Sequence, residues 1–334
     1  MRLNIGQISL DNPVLLAPMS GITDLPFRRI AKRYGAGLVV SEMIASRELL
    51  RDRRRSRKMI ETAPDEAPVA VQLAGCEPEI MADAARLNQD LGTAIIDINF
   101  GCPVKKVVGG LAGSALMRDE THAARILTAV VGAVSLPVTL KMRTGWDQHN
   151  RNAPRLARIA EDCGIRMITV HGRSRCQFYQ GRADWSFLGE VKNAVTLPVI
   201  GNGDVAGPDD AAALIARSGV DGVMIGRAAC GQPWLPGIIA RYLATGARAQ
   251  EPSLMERMAV VMEHFEGALR HYGVELGLRI MRKHIGWYIQ GLTDPDGLRA
   301  RLMRAGEPDQ VRDGLSRLFD WNLSHGACIV GDAA

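Results

Sequence analysis

Eight short apolar runs, most of them rich in β-branched residues, punctuate residues 14–225, and stretches of helical periodicity separate them. Bounded by turn residues, they read as strands at Val14–Ala17, Leu38–Glu42, Val69–Leu73, Ile95–Phe100, Val138–Met142, Met167–His171, Val199–Gly201 and Gly222–Ile225. Between them Pro78–Leu91, Glu120–Val131 and Ala153–Asp162 carry the spacing of helices. Strands that alternate with helices form βαβ units and a parallel sheet. A strand such as Val-Ala-Val-Gln-Leu, apolar at nearly every position, suits a sheet covered on both faces. Eight such units within residues 1–243 match a (β/α)8 TIM barrel in number and in length, with Trp234–Leu243 as the closing helix. Ala244–Ala247 and Glu251–Ser253 read as a linker. Beyond it Leu254–Tyr272, Leu276–Gly291 and Pro308–Asn322 are helical in pattern, with no strand among them. The expected architecture is therefore α/β, a TIM barrel over residues 1–243 followed by an all-helical domain over residues 244–334.

Polar residues fall where a barrel would use them. Gln72, Asn99, Lys141, His171 and Asn202 each sit at or just past the end of an expected strand. The carboxyl ends of barrel strands build the active site, so five polar ends out of eight describe a pocket. Net charge is +5, mildly basic and compatible with a polyanionic partner. The balance is uneven: residues 244–334 hold 11 Lys and Arg against 12 Asp and Glu, net −1, which leaves residues 1–243 at +6. The densest basic run is Arg51–Lys58, either a solvated face or a phosphate-contacting strip. Six cysteines occur singly, with no C-x-x-C, which suits neither a metal site nor a disulfide framework and points to a reducing compartment. The longest uncharged stretch, Ile126–Leu140, has 15 residues and a proline, too few to span a bilayer as a helix. Met1-Arg2-Leu3-Asn4 opens no signal peptide, so a cytoplasmic protein is expected, with no membrane association and no obligate protein partner.

Three constellations carry chemistry. Asn202-Gly203-Asp204 after the seventh strand and Gly226-Arg227 after the eighth offer backbone N–H groups and a guanidinium to a phosphate. No G-x-G-x-x-G follows a strand, so a mononucleotide such as FMN fits better than a dinucleotide. Ala17-Pro18-Met19-Ser20-Gly21 makes an open turn along which a planar ring could lie. Gln72 could read an imide edge, and Lys141 could place positive charge beside a reduced flavin. The third is Asn99-Phe100-Gly101-Cys102-Pro103-Val104-Lys105-Lys106, followed by a glycine-rich tail through Leu116 that suggests a closing loop. Cys102 sits between Gly and Pro over the barrel mouth, whereas the other cysteines read as inert.

Here the motifs become specific. N-x-G-C-P-x-x-K-V, A-P-M-x-G-x-T-D, Leu140–Trp146, His171-Gly172-Arg173 and Ile225-Gly226-Arg227 resemble the tRNA-dihydrouridine synthases over essentially the whole chain. Ser41-Glu42-Met43, Gly113–Leu116 and Arg282-Lys283-His284 are most similar to the bacterial B-type branch. The resemblance implies an FMN-bearing barrel, a helical tRNA-binding domain and NADPH as electron donor. It implies flavin contacts from Pro18, Met19 and Ser20, with Gln72 and Lys141 at the ring and His171 lining the site. Asn202, Gly203, Asp204, Gly226 and Arg227 would meet the flavin phosphate. Asn99, Lys141, Arg143 and His171 would hold a flipped uracil, and Cys102 matches the proton donor.

The implied reaction reduces the C5=C6 bond of a uridine, with hydride from FMN to C6 and a proton from Cys102 to C5. An unshifted thiol, with a reference pKa of about 8.5, is still mostly protonated at neutral pH and can act as that acid. Lys105 and Lys106 would depress it if close, so they are expected to face RNA phosphate. Arg279, Arg282 and Lys283 lie three and four residues apart, on one helix face, and are expected to grip tRNA, with Leu278, Ile280, Met281 and Ile285 turned inward. Two other readings share these residues. One is an FMN oxidoreductase of a small molecule, similar to dihydroorotate dehydrogenase, which would need neither the appendage nor Arg279, Arg282, Lys283 and His284. The other is an inert RNA-binding protein on a flavin fold, which intact Cys102 and Lys141 argue against.

Overall fold

The computed structural model describes residues 2–51 and 58–326. Most of the Arg51–Lys58 run therefore lies outside the described residues, as does Cys328. The chain opens with an antiparallel hairpin, β1 (Leu3–Ile5) and β2 (Ile8–Leu10), that pairs Leu3 with Leu10. The barrel follows as β3 (Val14–Leu16), β4 (Leu38–Val40), β6 (Val69–Ala74), β7 (Ile95–Phe100), β8 (Val138–Arg143), β9 (Met167–His171), β10 (Val199–Asn202) and β11 (Gly222–Ile225). All neighbours are parallel, β11 pairs with β3, and β4 pairs with β6 to close the ring. The short β5 (Ile44–Ala45) resumes beside β6 after a break at Ser41-Glu42-Met43.

The two faces of each strand part company, as a doubly covered sheet requires. Val14, Leu16, Val39, Val71, Ile96, Ile98, Leu140, Ile168, Val170 and Val223 point outward and pack on the surrounding helices. Inward, Leu15, Leu38, Ala70, Ile95, Met167 and Ile200 meet Leu3, Ile5 and Leu10 of the hairpin in one apolar cluster. The interior is thus apolar at the amino ends of the strands and sealed there by the hairpin. At the carboxyl ends, register sets Gln72 beside Asp97, Asn99 beside Lys141, Arg143 beside His171 and His171 beside Asn202. The polar strand ends do converge on one side of the barrel.

Residues beyond the barrel form helices at Leu254–Tyr272, Val274–Tyr288, Leu298–Arg304 and Pro308–Ser324, the third unanticipated from sequence. The closing helix runs Leu235–Thr245, so Ala244 and Thr245 are helical, not linker, and Gly246 ends the helix in a left-handed conformation. Ser253 and Glu256 then cap the next helix reciprocally. These helices share a second core with Ile30 and Trp234 of the barrel segment. Docking is close: a Cβ on Gly231 would fall 2.7 Å from the backbone of Trp287. Leu278, Met281 and Ile285 are buried in that core and Ile280 partly so, while Arg279, Arg282 and Lys283 are exposed. His284, next to that basic stripe in sequence, belongs to the core. It is fully buried, its ring lies 5.8 Å from Phe27 and 4.6 Å from His264, and burial holds its pKa well below the usual value.

Candidate active site

The mouth of the barrel is organised by a chain of buried amides and one carboxylate. Asp97, on β7, accepts from Gln72 Nε2 at 2.6 Å and from Thr139 Oγ1 at 2.6 Å. Burial raises its pKa, while those two hydrogen bonds and Lys141 pull the other way. Gln72 Oε1 accepts from Asn99 Nδ2 at 2.8 Å, and Asn99 Oδ1 accepts the backbone N–H of Gly101 at 3.2 Å and of Cys102 at 2.9 Å. Cys102 is thereby fixed from below by a relay that begins inside the barrel. From above, Ser114 donates its N–H at 3.1 Å and its hydroxyl at 2.9 Å to the Cys102 carbonyl. The segment between, expected as a glycine-rich loop, folds as a helical turn at Lys105–Gly109 and another at Gly113–Arg118. Lys105 and Lys106 are exposed on the first.

Four cationic side chains surround a neutral imidazole. Lys141 sits among β-strand neighbours with no carboxylate of the described residues in salt-bridge range, and its Nζ donates to Asn202 Oδ1 at 3.3 Å. Burial first, and the Arg143 charge second, push its pKa down to about 8. Arg143 is buried and lowered to about 10, chiefly by desolvation, and stays charged at any physiological pH. His171 lies well below its ordinary value because it is buried and faces Arg143, Lys141, Arg173 and Arg227. Arg173 Nη1 reaches His171 Nε2 at 3.4 Å, and since arginine cannot accept, that nitrogen carries the lone pair.

The structure refines several expected roles. Gln72 spends both ends of its amide within the barrel wall. Arg143, expected to face substrate, is a strut: its Nε donates to Gly101 O at 2.8 Å and its Nη1 to Ser174 O and Phe178 O. Asp204, placed by sequence against a phosphate, holds Arg173 in a bidentate pair at 2.7 Å and accepts from Ala183 N at 2.7 Å. Burial opposes that carboxyl's ionisation, yet the Arg173 bonds keep its pKa below the usual range. With its carboxylate committed to Arg173 and Ala183, Asp204 could meet an anion only through its backbone N–H. Arg173 and Asp97 were missed as site residues because each acts through a partner distant in sequence.

What remains open to a ligand is basic. Gly203 has φ +117° and no room for a Cβ, which would lie 2.8 Å from the His171 ring. A Cβ on Gly226 would meet nothing within 4 Å, and Arg227 next to it is exposed, 4.7 Å from the Tyr179 ring centre. Asn202 Nδ2 is occupied by Met224 O at 2.8 Å. On the adjoining strand end Pro18 and Met19 are half-buried and Ser20 exposed, in a turn closed by the N–H groups of Ile22 and Thr23 on Met19 O. Glu42, at the break before β5, accepts the Gly21 N–H. Lys283 reaches in from the helical region, its Nζ 2.9 Å from where a Gly21 Cβ would stand. Arg279 and Arg282 lie on the same helix, outside the mouth. Cys230 is inert: burial pushes its thiol up to about 11.

Comparison with known proteins agrees with this geometry. A family model described as dihydrouridine synthase matches residues 15–320. A probable tRNA-dihydrouridine synthase of Rickettsia conorii is 52% identical over 318 residues, covering 95% of this chain and 96% of its own. A tRNA-dihydrouridine synthase B of Xanthomonas axonopodis pv. citri is 49% identical over 332 residues, covering 99% of this chain and all of its own. Among solved structures, 6-hydroxypseudooxynicotine amine oxidase from Pseudomonas geniculata N1 superposes with a TM-score of 0.56 at 16% identity, over 78% of this chain and 52% of that one, a likeness of fold. With a closed eight-stranded barrel, the Asn99–Cys102 loop over its mouth and half of all positions shared with such relatives along nearly the full length, the chain belongs to the dihydrouridine synthase family.

Proposed function

We propose that this chain reduces the C5=C6 bond of uridine in the D-loop of tRNA, using FMN as resident cofactor and NADPH as electron donor. The observation that carries the reading is the pairing of Asn99 and Lys141 on adjacent strands, one fixing Cys102 and the other holding an ammonium that forms no salt bridge among the described residues. A desolvated cation with no direct ion pair among the described residues, together with an open Gly226 and an exposed Arg227, fits a phosphate-bearing, anionic ligand. FMN, when bound and reduced, would supply hydride to C6 of the uracil. Lys141, Asn202, the N–H groups at Gly203 and Gly226, and Arg227 are the groups that would hold it, with Pro18, Met19 and Ser20 along the ring. Gln72 supports that wall through Asp97 and Asn99.

Cys102 Sγ holds the proton destined for C5. Asn99 sets the position of that thiol through two backbone N–H groups, which is the precision a general acid needs. His171, kept neutral by its cationic surroundings, offers hydrogen bonding without adding charge. A uracil can meet these groups only outside the RNA stack, so the base must be flipped. We assign the RNA grip to Lys105 and Lys106 at the rim and to Arg279, Arg282 and Lys283 on a helical tRNA-binding domain, residues 244–334. A cytoplasmic location follows from that substrate. Among the described residues no helix is long and apolar enough to cross a membrane.

The test is direct. The purified protein should be yellow and bleach with NADPH under anaerobic conditions. Undermodified tRNA should reoxidise it, and free uridine or dihydroorotate should not. Reoxidation by dihydroorotate alone would replace this reading with a small-molecule oxidoreductase.

A further inference from the structure

Among the described non-glycine residues, Leu111, Phe178 and Asp204 adopt a left-handed backbone, and Phe178 does so with φ 52°. That conformation is costly for a bulky side chain and is retained where the surroundings impose it. The imposing group is Arg143. Its Nη1 holds Ser174 O at 2.9 Å and Phe178 O at 2.8 Å, while its Nε holds Gly101 O, next to Cys102. The strained residue is therefore tied by one guanidinium to the loop that carries the proton donor. Its ring is not used to fill the core and is 36% exposed.

A ladder of alternating guanidinium and aromatic groups lies beneath it. Arg175 stands 5.1 Å from the Phe178 ring centre and 4.7 Å from that of Trp146, and Arg118 stands 4.8 Å from Trp146. Among the described residues neither Arg118 nor Arg175 has a carboxylate within salt-bridge range, and Arg175 Nε is buried without an acceptor. An exposed aromatic face backed by uncompensated cations is the surface that unpaired nucleotides take, because every base can stack and every phosphate is attracted.

We propose that Phe178, backed by Arg175, Trp146 and Arg118, is a stacking platform for the nucleotide adjoining the uridine that enters the barrel. The proposal rests on the tRNA reading above. Flipping a base out leaves its neighbour with one uncovered face. A ring held at the rim, on the same strut as Gly101, is placed to cover that face and keep the strand open. The strained backbone is the means by which the ring projects outward.

The platform makes no phosphate contact through Phe178 itself, and that separates it from the basic residues around it. Phe178→Gly should weaken binding of an unmodified tRNA transcript about 10-fold, the order of one lost base–aromatic stack, with the same salt slope as wild type. Phe178→Tyr should bind as wild type. The Phe178→Gly thermal midpoint should hold or rise, since glycine adopts the left-handed backbone freely. A transcript made abasic at the nucleotide on one side of the target uridine should bind wild type about 10-fold more weakly and Phe178→Gly no more weakly than the intact transcript. Unchanged affinity in Phe178→Gly would overturn the proposal. So would a fall in its midpoint together with the binding loss, or equal losses of both proteins on abasic transcripts at either side. If wild type binds tRNA but reduces none of its uridines, the function proposed above fails first, and the platform with it.

Discussion

Lys141 is a lysine held inside a barrel with no direct ion pair among the described residues, only Asp97 acting on it at longer range, and the cost of that arrangement can be measured. Its pKa falls from 10.5 to about 8, mainly by desolvation. A drop of that size disfavours the folded, charged lysine by about 3 kcal/mol at 1.36 kcal/mol per pKa unit. The sign follows from linkage. Below pH 8 the lysine is protonated in both folded and unfolded chains, and the folded state bears the full cost. Between pH 8 and 10.5 the folded protein has shed the proton and the unfolded one has not, so stability rises with pH. Lys141→Met removes the charge and keeps the bulk. Flavin-free Lys141→Met should therefore be more stable than wild type at pH 7, by up to about 3 kcal/mol less about 1 kcal/mol for the bond to Asn202. That advantage should shrink steadily from pH 8 toward 10.5. Urea unfolding of both proteins across this range is the assay, and only their difference is read, which cancels the other titrating groups. Loading with the anionic cofactor should reverse the order at pH 7, because the ammonium then has a partner. A stability gap that stays constant from pH 7 to 10 would refute the argument and with it the assignment of Lys141 as the reserved cation.

Four further outcomes follow. Cys102→Ala should leave flavin reduction by NADPH intact and slow the uridine step by roughly 10²–10⁴-fold; equal loss in both half-reactions, followed by stopped flow, would make the thiol structural. Asp204→Asn should cost about 2 kcal/mol of stability through the Arg173 pair, seen as a lower denaturation midpoint. Arg227→Ala should instead lower flavin occupancy with little change in that midpoint. Arg282→Ala combined with Lys283→Ala should weaken tRNA binding and reduce its salt slope by about 2, one per lost phosphate contact, with NADPH oxidation by an artificial acceptor unchanged.

The barrel was legible because burial on both faces writes its strands as continuous apolar runs, and Ile95–Phe100 and Met167–His171 match residue for residue. The hairpin Leu3–Ile5 and Ile8–Leu10 was not, since three-residue strands are too short to establish a period. Leu298–Arg304 escaped for a different reason: only Leu298 and Leu302 are buried in it, and the residues between read as a basic loop. At the site, strand-end residues such as Asn99, Lys141 and His171 could be found from position alone. Partnerships could not. Arg173 and Asp204 are 31 residues apart, and only the adjacency of β9 and β10 reveals that each occupies the other. His284 is buried although its neighbours Arg282 and Lys283 are exposed, because one further step of about 100° turns its ring into the core.

The N-terminal hairpin has a kinetic meaning as well. Leu3, Ile5 and Leu10 pack with the strands' own inward side chains and close the amino end of the barrel, which leaves the polar carboxyl ends as a ligand's one door. Under the proposed function, reductant and RNA must use that door in turn, for neither can arrive while the other blocks it. Each departing product clears the way for the next arrival, and steady-state plots should give the parallel lines of alternating visitors, with each inhibiting the other at high concentration. Six strand residues at the start of the chain, packed at the end away from the polar strand ends, thereby help confine that traffic to one face.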